Sequence, residues 1–136
     1  MKYKILDDLT SDIMFEAYGS NLKEAFESSA LALFDIICKI KAVRPLKSIH
    51  IELSAENKEE LMFSWLQELI ARVDLEEMFF SKFEIIEVSE TNLIAKIYGE
   101  PISPKKGEVL VKALTNHKYE FKKTKSGYKV TAVLDI

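Results

Sequence analysis

The sequence predicts an α+β domain in which a mostly antiparallel sheet packs against two helices. Three observations predict it. Two one-sided apolar stripes at helical spacing lie in the first half of the chain. Short alternating segments, divided by turn residues, crowd the second half. No Ser/Gly linker, repeat or low-complexity stretch interrupts the 136 residues, so one domain is expected over 1–136.

The elements follow in order. Tyr3–Leu6 and Ile13–Tyr18 read as short strands, with a turn across Asp7–Ser11. A helix is expected from Asn21 to Cys38, its stripe made by Leu22, Ala25, Phe26, Ala30, Leu33, Phe34 and Ile37. Asn21 with Glu24 is a capping-box-like start, in which the Asn oxygen accepts an orphan N–H and the carboxylate favours the positive helix end. Leu46–Leu53 alternates as a strand. A second helix is expected from Lys58 to Val73, with Leu61, Met62, Trp65, Leu66, Leu69, Ile70 and Val73 on one face and the same start signal at Asn57 and Glu60. Phe83–Val88 and Leu93–Tyr98 flank a hairpin loop at Glu90-Thr91-Asn92. Val109–Leu114, Lys118–Lys123 and Tyr128–Leu134 complete the order ββαβαβββββ. The last two join through a tight turn at Lys125-Ser126-Gly127.

Composition narrows the function. The chain is 48% hydrophobic, enough for a core. No apolar run approaches the roughly 20 residues that span a bilayer. Met1–Asp12 lacks the apolar centre of a signal peptide, so a cytoplasmic protein without a membrane partner is expected. Cys38 is the only cysteine, which excludes an internal disulfide and thiolate-rich zinc sites. The net charge of −3 hides an asymmetry. Residues 1–104 carry 11 Lys and Arg against 19 Asp and Glu, and residues 105–136 carry 8 against 3. An acidic body is a poor sequence-blind binder of nucleic acid, although the basic tail offers a local face for phosphate or an acidic partner.

Enzyme motifs are missing. There is no G-x-G-x-x-G, Walker loop or G-x-S-x-G elbow, and no His lies near Cys38 in sequence. The chain is therefore not expected to be an enzyme. Cys38 ends an apolar helix stripe and reads as a buried structural thiol. His50 lies in an alternating strand and His117 ends one, which is weak support for any site.

The carboxylates are more informative. Asp12 enters a strand, and Asp135 directly follows the apolar strand Val130–Leu134, with Ile136 and its α-carboxylate one residue beyond. An apolar end predicts a docked terminus. Docking adjacent carboxylates costs desolvation and repulsion unless a cation or several donors compensate. Oxygen ligands suit Ca²⁺ or Mg²⁺, while lysines or backbone N–H groups offer another compensation.

These residues resemble a known family. Leu9-Thr10-Ser11-Asp12-Ile13, Ala17-Tyr18-Gly19 and the helix from Leu22-Lys23-Glu24-Ala25-Phe26 look like the amino-terminal signature of archease. The likeness continues through Trp65-Leu66-Gln67-Glu68-Leu69, Gly99-Glu100-Pro101, Val111-Lys112-Ala113-Leu114-Thr115-Asn116-His117 and Leu134-Asp135-Ile136. It covers essentially the whole chain in order. The resemblance implies an accessory protein to the RNA ligase of tRNA splicing, which uses GTP and Mn²⁺ to join 2′,3′-cyclic-phosphate and 5′-hydroxyl ends. Such a protein promotes formation of the ligase–guanylate intermediate and repeated turnover. It further implies a divalent metal, calcium, held by Asp12, Asp135 and Ile136, with RNA met only indirectly. Lys112 and His117 are retained and are candidates for phosphate or partner contact. Three positions depart from the family pattern: Leu9 and Gly107 stand where histidines are usual, and Asn116 where a tyrosine is. The other function class is a small RNA- or protein-binding, chaperone-like module. It would use the basic hairpin from Lys118 to Lys129, where Tyr119, Phe121 and Tyr128 interleave with lysines.

Overall fold

The computed structural model describes residues 3–9 and 12–136. Thr10 and Ser11 of the expected Asp7–Ser11 turn lie outside the described residues. The order is β1 (Tyr3–Leu9), β2 (Asp12–Gly19), α1 (Leu22–Ile37), a 3₁₀ turn (Ile40–Ala42), β3 (Lys47–Ser54), α2 (Lys58–Glu76), β4 (Met78–Val88), β5 (Asn92–Pro101), β6 (Ala113–Thr124) and β7 (Gly127–Asp135). The α+β class and the two helices are as the sequence predicts. The strands form two antiparallel sheets, β1-β2-β7-β6 and β3-β5-β4.

Both helix starts follow the capping prediction. Asn21 Oδ1 accepts the Glu24 N–H and Asn57 Oδ1 accepts the Glu60 N–H, each at 2.9 Å. Glu24 reaches back one residue further than expected, to the N–H of Ser20 at 2.9 Å. Helix α2 runs past Val73 to Glu76, because its polar last turn is tied by Arg72 to both Glu68 and Glu76 at i,i+4 spacing. Glu77 then ends it in the left-handed conformation, φ 54°.

Eight strands were expected and seven are present among the described residues. Val109–Leu114 is not a strand of its own, since β6 begins at Ala113 and runs through Lys118 without a break. The apparent break near His117 is a bulge. The β6–β7 register shifts between Thr115 and Glu120, and Lys118 sits there at φ 59°. Val109 and Val111 alternate as strand residues do but lie in the loop before β6. They pack on the core, and the backbone N–H of Val109 goes to Ile37 O.

Each helix touches both sheets. Phe15, Phe26, Phe34, Trp65, Phe80 and Phe121 are fully buried in the core between them. Phe26 meets Phe121 edge to face at 5.9 Å, and Phe34 meets Phe80 at 5.7 Å. Cys38 is buried as expected, with its thiol donating to Phe34 O, and burial pushes its pKa up to about 12. That thiol is inert at neutral pH.

Candidate functional site

Strands β2 and β7 bring the two sequence-selected aspartates together. The antiparallel register sets Asp12 directly opposite Asp135. Along β2, Phe15, Ala17 and Gly19 are buried toward the helices, so the alternation puts Asp12, Glu16 and Tyr18 on the outer face. Opposed residues share a face, with Cβ atoms about 4.5–5.5 Å apart. Both aspartates are half-buried, and neither has a salt-bridge partner among the described residues. Like charges directly opposite each other destabilise a ladder. Two opposed carboxylates are oxygen donors of the kind a hard divalent cation takes. Among the described residues, no group of three or more His, Cys, Asp and Glu side chains surrounds one point.

The other expected residues do not all gather at this pair. Ile136 follows Asp135 and is half-buried. The backbone N–H of Lys112 donates to Asp135 O at 2.8 Å, while its side chain is exposed. Thus Lys112 enters the site through its backbone. His117 stands four residues beyond Ala113, the β6 residue opposite Asp135. It is exposed in the bulge, with its N–H on Thr115 Oγ1 at 3.1 Å. His50 is exposed and lies 3.2 Å from Glu52 on β3.

Two supports were not read from the sequence. Gln67 on α2 accepts the Leu114 N–H at 2.8 Å and so fixes the start of β6 beside the pair. Glu100, buried near the end of β5, holds the following loop. It accepts the Lys106 ammonium at 2.7 Å, the Arg44 backbone N–H at 2.8 Å and the Arg44 guanidinium at 3.2 Å. Lys39 N–H to Lys106 O and a bridge between Cys38 and Gly107 tie the same loop to the end of α1. The signal was an acid set between Gly99 and Pro101, legible only once Arg44 is known to be near.

The Lys106 ammonium, followed by the Arg44 N–H, holds the Glu100 carboxyl down at about 2, against an ordinary 4.5. A depressed folded pKa gives stability that is present above the ordinary value and lost as pH falls toward 2. Glu100→Gln is therefore expected to flatten the melting-temperature loss between pH 4.5 and 2. Amide exchange at residues 102–110 should also be faster at neutral pH. A variant with the wild-type acid limb and wild-type exchange would contradict the clamp.

The basic hairpin does not present its aromatics. Phe121 is buried, Tyr119 donates its hydroxyl to Glu59 O at 2.7 Å, and Tyr128 packs on Phe121 at 5.7 Å. Lys122, Lys123 and Lys125 are exposed without a stacking surface among them.

Known proteins share this sequence pattern and this fold. The sequence model of the Archease protein family (MTH1598/TM1083) matches residues 3–136. The chain belongs to the archease family. A protein archease of Archaeoglobus fulgidus is 37% identical over 139 residues, covering 100% of both chains. The archease of Pyrococcus abyssi is 39% identical over 123 residues, 87% of each chain. The solution structure of protein 1598 of Methanobacterium thermoautotrophicum superimposes with a TM-score of 0.82 at 30% identity, covering 99% of both. The crystal structure of an archease and possible chaperone from Thermotoga maritima shares the fold, with a TM-score of 0.68 at 17% identity over 98% of this chain and 97% of that one. Within the archease fold, Gly107 lies against the Phe79 ring and Asn116 is exposed beside α2. Leu9 pairs with Asp12 through the backbone.

Proposed function

We propose that this protein is an accessory factor of the RNA ligase of tRNA splicing. In this reading it promotes formation of the ligase–guanylate intermediate and repeated turnover, and it is not the catalyst. The observation that carries the reading is the pairing of Asp12 with Asp135 in a chain of the archease family. Asp12, Asp135 and the carboxylate of Ile136 would hold a divalent metal, and the all-oxygen donor set favours calcium. A bound cation supplies positive charge beside phosphate oxygens. The chain's own part is positional. The β2–β7 ladder fixes both carboxylates, and Gln67 and the Lys112 N–H fix the strand end beside them. A cleft that binds RNA and GTP phosphates is electropositive, so an acidic visitor is complementary to it. Exposed Lys112 and His117 would contact phosphate or partner, and RNA would be met indirectly.

The test is guanylylation of the ligase from the same cell, with wild type, Asp12→Ala and Asp135→Ala. Wild type should stimulate, and each variant should lower the stimulation by about tenfold to a hundredfold. Both variants should fold, because removing one of two opposed like charges relieves repulsion. No stimulation by wild type, or full stimulation by both variants, overturns the reading. An extension after Ile136, which removes that carboxylate, should also abolish stimulation.

A further inference from the structure

A cavity of about 300 Å³ lies between the ends of both helices and the loop after β5. Ile37, Ile70, Val73, Phe79 and Val109 line it, and neither the carboxylate pair nor the Glu100 clamp uses it. Its size is at the lower end for pockets that hold a ligand. Small-molecule pockets add a few placed polar groups. The buried polar residues among those described, Ser28, Ser29 and Glu100, do not line this one. The polar side chains are at the mouth instead. Asp74 and Glu108 are exposed there, and neither has a salt-bridge partner among the described residues. The lysines of the loop do not pair with them, since Lys106 is held by Glu100 and Lys105 is exposed with no salt-bridge partner among the described residues, and Lys39 and Lys41, which line an adjoining groove with Glu108, form no salt bridge with it.

The rim is apolar where it should be polar. Leu110 is 76% exposed and Ile102 42%, and both line the cavity. Leu75, 72% exposed, is next to Asp74, and Ile102 N–H bonds Glu77 O just beyond it. Ile102 and Leu110 are two of the six exposed large hydrophobics among the described residues, and both lie at this mouth. Exposed apolar residues clustered around a cavity mark an interaction surface. Two free carboxylates beside them select a cation and repel nucleic acid.

The geometry points to this cavity as an anchor for a protein partner: it receives one large aliphatic or aromatic side chain, carried beside an arginine or lysine that pairs with Asp74 and Glu108. The two adjoin along the chain, because Val111 lines the cavity and the N–H of the next residue, Lys112, holds Asp135 O. One partner can therefore engage both. The partner's identity as the ligase rests on the reading above, while the site itself does not.

The test measures ligase affinity by calorimetry and guanylylation at saturating protein, separately. The Ile102→Asp/Leu110→Asp double variant changes exposed positions and should fold. It should raise Kd about thirtyfold, while stimulation at saturation stays at the wild-type level. Asp74→Lys with Glu108→Lys should slow association about tenfold and reduce its salt dependence. Ile86→Asp, an exposed position on β4, should match wild type. Wild-type affinity in the Ile102/Leu110 variant overturns the anchor alone. Wild type that neither binds nor stimulates the ligase overturns the preceding reading and the partner named here. A wild-type dimer that Leu110→Asp converts to monomer overturns the proposal in favour of a second copy as occupant.

Discussion

Trp65→Ala is expected to lower the melting temperature by about 10–20 °C. Trp65 is fully buried on α2, and its indole Nε1–H donates to Phe26 O at 3.0 Å. Its ring also faces Phe26 at 6.5 Å, so the side chain joins α2 to α1 by both packing and a hydrogen bond. Truncating a buried tryptophan costs about 3–5 kcal/mol, a large part of the stability of a small domain. Trp65→Phe separates the two contributions. The six-membered ring stays while the smaller ring and its N–H are lost, and Phe26 O keeps the hydroxyl of Ser29 at 2.9 Å. The cost should then fall to about 2 kcal/mol, shared between a small cavity and the lost hydrogen bond. Calorimetry of the two variants checks this, and Trp65→Ala within 1 kcal/mol of wild type would refute the account.

Gly99→Ala is the second large effect, for a steric reason. Gly99 lies in β5, the central strand of β3-β5-β4, opposite Phe80. A Cβ there would overlap Phe79 O and come within 2.9 Å of Phe80 Cα, and both are backbone atoms. No side-chain rotation relieves that contact. The β4 and β5 strands would have to separate, at a cost of about 3–5 kcal/mol. Gly107→Ala is the contrast, since its nearest contact is the Phe79 ring at 3.4 Å. It should lie within about 0.5 kcal/mol of wild type. Urea unfolding of the pair measures the difference, and equal midpoints would show that β4 gives way more easily than its pairing implies.

Local chemistry was legible and partner choice was not. Asn21 and Asn57 announced both helix starts because a cap is made within three residues. Asp12 and Asp135 could be singled out because each adjoins an apolar strand end. The division into two sheets could not be read in the same way. An alternating segment states which face is buried and is silent about which strand lies beside it. Strand β5 pairs with β3 across all of α2, and β7 returns to β2 across most of the chain. The Glu100 clamp was hidden for the same reason, its Arg44 partner lying 56 positions away. The bulge at Lys118 looked like a gap because one strand with an irregular register reads as two shorter ones.

The pairing of β2 with β7 also sets a schedule. Synthesis runs from the amino end, and folding during synthesis follows it. All three strands of β3-β5-β4 exist once residue 101 has been made, so that sheet can close early. The other sheet waits, with β2 bordered by β1 alone, until β7 is made. Asp135 is the last residue of that strand. The carboxylate pair thus forms only after β7 has been made, later than every strand of the other sheet.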